Sequence, residues 1–190
     1  AETNPNGVYG FGVRTLGHLF YLLNLPTLNR TFLYDVDEKL WHEWSSNSAG
    51  SHSIFAYNCM TDTQSGKGHL LHKSNGTIYI IDPTVYTDAG TTILCEIVTN
   101  KFDFNTYKRK FYSGLRIVGD RYASGTTADV TWTDDDYQTW SNTKTITLTD
   151  DYPAFQRLGS SRRRAFKVRN TQDTAFRLES IEVDYAEGDT

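Results

Sequence analysis

Hydrophobic and polar residues alternate along the chain in short runs, and positions spaced for an amphipathic helix are almost absent. Such runs, divided by clusters of Gly, Asn and Asp, are typical of β-strands. In the first half we predict strands at residues 18–25, 31–36, 40–45, 53–60, 69–72, 77–81 and 92–98. In the second half we predict strands at residues 108–118, 129–133, 144–148, 155–158, 165–169 and 176–185. The pattern therefore predicts an all-β fold.

The first half contains a weak internal repeat. Gly17-His18-Leu19 recurs as Gly68-His69-Leu70, and Phe32-Leu33-Tyr34-Asp35 is echoed by Tyr79-Ile80-Ile81-Asp82. A period near 50 residues with several strands per unit fits the blades of a β-propeller, although a propeller needs about 4–8 of them. Residues 1–95 are therefore predicted to form a propeller-like β-meander that is incomplete in this chain. A plain series of hairpins with similar turns remains the alternative.

A tight hairpin turn is predicted within the second copy of this repeat. Asn75-Gly76 lies between two predicted strands, and both residue types accept the positive φ angles of a type I′ turn.

The second half shows no such repeat, and its six predicted strands favour a compact β-sandwich over residues 96–190. We place the boundary between the two domains within residues 86–103. In the last strand the apolar residues change parity, from Phe176 and Leu178 to Ile181, Val183 and Tyr185. A β-bulge near residues 179–180 would return them to one face, because a bulge adds one residue to the strand.

An acidic segment in the sandwich resembles the Asp-box, a hairpin turn with the pattern Ser/Thr-x-Asp-x-Gly-x-Thr-Trp found on sialidase-type propeller blades. The residues that match are Thr133, Asp135, Thr139 and Trp140, while Tyr137 replaces the usual Gly. In this motif the Asp oxygens accept hydrogen bonds from backbone N–H groups of the turn, and the Trp packs beneath it. We therefore predict a structural turn and no catalytic role.

Basic residues cluster around the predicted strand 165–169. Alternation places Arg164 with the core residues and Arg163, Lys167 and Arg169 on the opposite face. One interpretation is a solvated strand face with a single arginine paired at the edge of the sandwich. The other is an electrostatic contact through Arg162, Arg163, Lys167 and Arg169, either with acids of a neighbouring subunit or with the phosphates of duplex DNA.

Candidate chemistry elsewhere is sparse. His69 and His72 would point to opposite faces of a strand, which argues against a shared metal ion. Cys59 and Cys95 lie in apolar runs, which predicts buried free thiols instead of a disulfide framework. Neither nucleophile-elbow nor phosphate-binding glycine motifs occur. We expect no catalytic residue, no metal and no cofactor.

Composition and charge narrow the function classes. The chain has 190 residues and a net charge of −4, and no apolar stretch reaches the roughly 20 residues of a membrane-spanning helix. Residues 101–177 hold 14 Lys and Arg against 9 Asp and Glu, whereas the last twelve residues hold five acids and no base. Such asymmetry favours contacts with a partner.

Several segments, in order, resemble the C-terminal part of the packaged-DNA stabilisation, or tail-hub, proteins of short-tailed bacteriophages. The segments are Gly17-His18-Leu19-Phe20-Tyr21, Leu25-Pro26, Thr31-Phe32-Leu33-Tyr34-Asp35-Val36, Leu40-Trp41-His42-Glu43, Tyr86-Thr87-Asp88-Ala89-Gly90, Trp132-Thr133-Asp134-Asp135, Thr139-Trp140-Ser141-Asn142 and Arg157-Leu158-Gly159-Ser160-Ser161-Arg162-Arg163-Arg164-Ala165-Phe166. Members of this family carry a long region before the first of these segments, so we expect residues 1–190 to be a fragment or a trimmed relative.

This resemblance implies a non-enzymatic virion protein of the phage tail, made in the host bacterial cytoplasm. It implies a homo-oligomeric ring, a hexamer, that attaches below the portal, extends the DNA exit channel and helps to retain packaged DNA. The implied neighbours are the portal or adaptor protein and the tail needle or tailspike. Non-specific contact with duplex DNA is a further expectation, and association with a membrane is not expected.

One alternative belongs to another functional class. The Asp-box-like turn, together with Trp41, Trp44 and Trp140 as candidate exposed aromatics, fits a carbohydrate-binding module or a remnant sialidase-like propeller.

Overall fold

The computed structural model describes residues 1–15, 17–48, 51–62, 68–122, 125–149 and 154–189. Antiparallel strands dominate, the only helical segment in this described part is the short 3-10 turn Pro5–Gly7, and none of the sheets closes into a barrel. The predicted all-β fold class is confirmed. The chain divides into two compact units, Ala1–Ile93 and Leu94–Thr190.

The first unit contains eleven strands among its described residues. They are β1 (Tyr9–Thr15), β2 (His18–Leu25), β3 (Arg30–Asp35), β4 (Leu40–Trp44), β5 (Ser46–Ser48), β6 (Ser51–Ser53), β7 (Tyr57–Asp62), β8 (Gly68–His72), β9 (Ile78–Ile80), β10 (Thr87–Asp88) and β11 (Thr91–Thr92). The first sheet has the order β1-β2-β3-β4, and the second sheet has the order β7-β8-β9. Each is therefore an up-and-down meander of consecutive antiparallel strands.

The first and second sheets share one hydrophobic core. Its fully buried residues come from both sheets and from the segment between them: Val13, Leu22, Leu33, Phe55, Tyr57 and Leu70. Val13, Leu22 and Leu33 lie on one face of the first sheet because side chains alternate along its strands. Each sheet thus has an inner face, turned to the shared core, and an outer face.

The turn between β8 and β9 differs from the prediction. Gly76 has a φ of +67°, but Asn75 is not in the left-handed region, so a type I′ turn does not form. The connection closes instead through a hydrogen bond from Gly76 N to His72 O (3.0 Å), and Asn75 Oδ1 accepts one from Thr77 N (2.9 Å). A type I′ turn has two residues with positive φ, and here only Gly76 has one. The turn is stabilised instead by the hydrogen bond that the Asn75 side chain accepts.

The second unit is a two-sheet sandwich. Its strands are β12 (Cys95–Val98), β13 (Lys110–Gly119), β14 (Thr127–Thr133), β15 (Lys144–Thr147), β16 (Ala154–Gln156), β17 (Ser160–Ser161), β18 (Ala165–Asn170) and β19 (Leu178–Glu187). One sheet has the order β12-β18-β14-β15, and in the other β13 pairs with β16, β17 and β19. Buried residues of both sheets form a single core: Tyr112, Leu115, Ile117, Ala128, Val130, Ile146, Leu148, Leu158, Phe166 and Val168.

The predicted bulge in the last strand is confirmed. Val118 pairs with Ser180 and Gly119 pairs with Leu178, so Glu179 is the extra residue. The chain approaches itself closely here, since a Cβ on Gly119 would lie 2.2 Å from the carbonyl oxygen of Arg177. Only glycine fits at that position without a shift of the backbone.

Candidate functional site

The charged region of the second unit comprises the acidic residues 134–136 and the basic residues within 162–169, and the buried Arg164 lies at its centre. Only 1% of the residue is exposed, yet its guanidinium is fully engaged. Nε and Nη2 donate to the two carboxylate oxygens of Asp134 at 2.7 and 2.8 Å, and Nη1 donates to Leu158 O at 2.7 Å. The guanidinium carbon also lies 4.1 Å from the centre of the Tyr112 ring. Such a bidentate, stacked arginine fixes the start of β18 against the loop after β14.

The predicted Asp-box-like turn is organised by Asp135. Its Oδ1 accepts hydrogen bonds from Thr133 Oγ1 (2.7 Å), Thr139 N (2.9 Å) and Gln138 N (3.2 Å), and its Oδ2 accepts one from Thr139 Oγ1. These donors, chiefly the hydroxyl and amide of Thr139, lower the pKa of Asp135 to about 2. The carboxylate therefore holds the turn together, as the motif predicts.

The missing glycine of the motif has a structural consequence. Asp136 and Tyr137 are consecutive left-handed residues, with φ angles of 65° and 68°. Because this conformation costs a non-glycine residue about 1–2 kcal/mol, other contacts must compensate. Asp136 pairs with Lys101 at 2.7 Å and with Arg163 at 2.9 Å, and the Tyr137 hydroxyl donates to Thr99 O at 3.0 Å.

The three consecutive acids consequently have three different partners. Asp134 neutralises the buried Arg164, Asp135 caps the turn, and Asp136 pairs with surface cations. They do not converge on one point, which agrees with the sequence argument against a calcium loop.

The four predicted electrostatic residues do not form an open basic patch. Arg163 pairs with Asp136, Arg169 lies 3.1 Å from Glu96, and Lys167 Nζ lies 4.0 Å above the Trp140 ring. Arg162 is exposed, and its guanidinium has no partner within the described residues, while its carbonyl accepts a hydrogen bond from the buried Lys110 Nζ at 2.6 Å. Three of the four cations thus have an electrostatic partner inside the second unit, although Arg169 Nε, 3.1 Å from Glu96 Oε2, makes no hydrogen bond.

An apolar outer face on the first sheet was not predicted from the sequence. Opposite the core, the sheet presents a row of hydrophobic and aromatic side chains: Leu19, Tyr21, Leu23, Phe32, Tyr34 and Trp41. Arg14 and the Arg30–Glu43 ion pair lie on the same face. Trp41 is 58% exposed, and its ring centre lies 5.0 Å from that of Tyr34 on the neighbouring strand. Beside them Tyr21 extends over β1, where a Cβ on Gly10 would lie 2.6 Å from its hydroxyl. Gly10 therefore makes room for the Tyr21 side chain.

The outer face of the second sheet is apolar as well. Ile78 pairs with Leu71 and Ile80 pairs with His69. These four side chains lie on the face opposite the buried Leu70 and the partly buried Tyr79. Ile78 is 63% exposed and Ile80 is 52% exposed. An antiparallel sheet with one face in water usually carries polar residues on that face. The two exposed isoleucines depart from this pattern.

The closest approach to a metal-binding cluster in the described part of the chain involves His18, Asp35 and Asp37, whose ligand atoms lie within 4.8 Å of one another. Each is already used by the fold. His18 Nδ1 contacts Asp35 Oδ2 at 2.9 Å, Asp35 Oδ1 accepts from Asp37 N, and Asp37 Oδ2 accepts from Leu19 N. These contacts tie the β3–β4 turn to the start of β2.

The concave regions among the described residues include an aromatic one in the first unit and an apolar one in the second. The first, about 280 Å³, is lined by aromatic residues including Trp44, Tyr57 and Tyr79. There the Tyr57 hydroxyl donates to Asp88 Oδ1 at 2.5 Å, and burial together with this carboxylate raises the pKa of Tyr57. The second, about 360 Å³, is an apolar groove between β12 and β19.

No known protein-family model matches this chain, and no curated protein matches it significantly. Within the described residues, the structure contains no helix with the length and apolar character that crossing a membrane would require.

Proposed function

We propose that this protein is a structural, non-enzymatic subunit of the tail hub of a short-tailed bacteriophage. In this role it joins a ring below the portal, extends the DNA exit channel and helps to retain packaged DNA in the virion. The ordered segments from Gly17 to Phe166 support this assignment through their resemblance to the tail-hub proteins. Its partners are further copies of itself, the portal or adaptor protein, and the tail needle or tailspike.

The observation that carries the assembly role is the pair of apolar outer faces in the first unit. Large apolar residues exposed singly are normal on a protein surface, but contiguous groups of them mark contact surfaces. Here the exposed groups lie on the far sides of two sheets that already share a core. Two such stacked meanders fit neighbouring blades of an incomplete propeller, in which each blade needs a further sheet beside it.

The charged region of the second unit supports a rigid connecting module more than a DNA clamp. Because Arg163 and Arg169 pair with acids and Lys167 lies on the Trp140 ring, this cluster offers no open row of cations along which DNA phosphates could bind. We therefore expect retention of DNA to come from closure of the channel by the assembled ring. Filter binding to duplex DNA should show weak affinity that disappears as salt rises to physiological concentration.

The direct test of the phage assignment is co-sedimentation with purified portal–adaptor assemblies of short-tailed phages. The proposal expects the chain to sediment with these assemblies and electron microscopy to show added density below the adaptor ring. Lack of any association with portal–adaptor assemblies, or turnover of a sugar substrate by the purified chain, would overturn the assignment.

A second candidate, carbohydrate binding, is favoured by one observation, the exposed Trp41 beside Tyr34. The other two nominated tryptophans offer less, because Trp44 packs against the core of the first unit and Trp140 lies beneath Lys167. A glycan array decides this candidate, with Trp41→Ala as the test variant and Trp140→Ala as its matched control. Binding lost only with Trp41→Ala would establish it, and an array without binding would remove it.

A further inference from the structure

The two repeat copies occupy equivalent strands of the two sheets. Gly17-His18-Leu19 leads into β2, the second strand of its meander, and Gly68-His69-Leu70 begins β8, the second strand of the other. The later pair of segments likewise falls on β3 and on β9, the third strands. The repeat is therefore a repeat of structure as well as of sequence.

Equivalent residues face opposite ways relative to the shared core. Leu19 lies on the outer face of the first sheet, whereas its counterpart Leu70 is buried in the core. Phe32 likewise points outward, whereas its counterpart Tyr79 packs against the core. The spacings of 51 and 47 residues differ by four, an even number, so the shorter second hairpin leaves the alternation unchanged.

A head-to-tail stack of sheets requires that equivalent residues face away from the shared core in one sheet and towards it in the next. If every unit has a front face and a back face, the back of one contacts the front of the next. In this chain Leu22 and Leu33 on the back of the first sheet belong to the same buried core as Leu70 on the front of the second. The two sheets approach each other through β1, β7 and β8. The outer face of the first sheet is then an unoccupied front, and the outer face of the second sheet is an unoccupied back.

We propose that the outer face of the first sheet binds the outer face of the second sheet of another copy of this chain. The contact inside the first unit is the template for the contact between copies, because it joins the same two kinds of face. The front residues Leu19, Tyr21 and Trp41 would cover the back residues Ile78 and Ile80 of the next copy. This inference rests on the assembly part of the proposed function, not on its phage part.

Such a contact is heterologous, since two different surfaces meet, and it has consequences that a two-fold dimer lacks. Each copy keeps one free front and one free back, so association continues until a ring closes or an open chain forms. Blocking either face alone should leave the other face of the same molecule able to bind.

The test uses the 190-residue chain and two single variants at exposed positions, Trp41→Glu on the front and Ile78→Glu on the back. Light scattering coupled to size exclusion should show concentration-dependent oligomers for the wild type. Each variant should associate at least about tenfold more weakly, because a carboxylate would have to be desolvated in the contact. Tyr107→Glu is the matched control, since Tyr107 is 92% exposed and lies in the second unit. Circular dichroism checks that all three variants keep the β-rich fold.

Mixing the two variants gives the decisive result. Trp41→Glu keeps an intact back and Ile78→Glu keeps an intact front, so an equimolar mixture should form a 1:1 heterodimer and nothing larger. A wild type that stays monomeric at every concentration would overturn the proposal, as would oligomers that tolerate both substitutions or variants that fail to pair when mixed. Association of copies without binding to portal–adaptor assemblies would uphold this contact and remove only the phage assignment.

Discussion

The two units of the chain solve the same problem, the packing of antiparallel sheets, with opposite outer surfaces. In the second unit the faces turned away from the core carry polar and charged groups, such as Asp129 with Thr145 and Arg169 with Glu96. In the first unit the corresponding faces carry Leu, Ile, Tyr and Trp side chains. The two units thus differ in their charged groups, because most of those in the second unit are paired within it. Both units expose large apolar side chains, such as Phe111 in the second and Trp41 in the first.

The difference is visible in single strands. β14, Thr-Ala-Asp-Val-Thr-Trp-Thr, alternates between core residues and polar ones, as expected of a sheet with one solvated face. β2, His-Leu-Phe-Tyr-Leu-Leu-Asn-Leu, is apolar at nearly every position, as expected of a strand covered on both faces. If copies associate as we propose, the apolar composition of β2 reflects burial of both its faces.

The largest expected effect is on the unfolding free energy of the second unit. Arg164→Ala should destabilise it by about 3–5 kcal/mol, because it removes a fully buried side chain together with its three hydrogen bonds. The substitution also leaves Leu158 O without its donor and removes the stacking on Tyr112. Urea unfolding measures the loss, and hydrogen exchange should locate it in β13, β14 and β18. Arg163→Ala is the control, because its exposed pair with Asp136 contributes little. Equal losses of unfolding free energy for Arg164→Ala and Arg163→Ala would contradict the expected difference between the buried and the exposed arginine.

A smaller effect separates the two faces of the first sheet. Leu33→Ala should cost about 3 kcal/mol, because it leaves a cavity in the core of the first unit. Tyr34→Ala, one residue further along the same strand, lies on the outer face and should barely change the unfolding free energy of the monomer. Urea unfolding at a protein concentration below association compares the two directly. A large loss for Tyr34→Ala would mean that the outer face is already covered within one copy.

The pH dependence of the Asp135 turn gives the next prediction. Because its pKa is about 2 in the fold, below its ordinary value of 3.8, the ionised carboxylate stabilises the second unit. That contribution is complete above about pH 4 and disappears as pH falls towards 2. Denaturant unfolding between pH 2 and 6 should show wild type more stable than Asp135→Asn at pH 6, with the gap closing by pH 2. A gap that does not change with pH would contradict the role of the charge.

The smallest effect is expected at Arg162. Its guanidinium is exposed and unpartnered among the described residues, so Arg162→Ala should change stability by less than about 0.5 kcal/mol. If this side chain contacts a partner in the ring, the same variant should weaken assembly while thermal unfolding of the isolated chain stays unchanged. A loss of stability in the isolated chain would show an internal role instead.

The sequence predicted strands well where one face is buried and alternation is clear. The bounds of β2 were predicted to the residue, and the bulge at Glu179 followed from the change of parity around it. β1 was missed, because Gly10 and Gly12 occupy its outward positions and erase the alternation. The prediction that Cys59 is buried was wrong. Cys59 is exposed, because the irregularity between Tyr57 and Cys59 in β7 places its side chain on the outer face of the strand.

For the candidate site, the local parts were predictable and the distant partners were not. The roles of Thr133, Asp135 and Thr139 depend on contacts within residues 133–139 of one turn, which the motif already contains. Asp134, the partner of Arg164, lies 30 residues away. The ammonium group of the buried Lys110 donates hydrogen bonds to the carbonyl oxygens of Thr106 and Arg162. Hydrophobic periodicity in the sequence does not predict that a lysine is buried or which acid pairs with a given arginine.

The amino-acid sequence by itself determined that the chain is built of strands, where most of them lie, and how the acidic turn closes. Alternation and turn chemistry are short-range properties, and they act within a few residues of one another. Only the tertiary structure decided which cations are already paired and which faces of the first unit remain uncovered. Those outcomes depend on contacts between strands far apart in the chain, whose register is set when two faces are buried together.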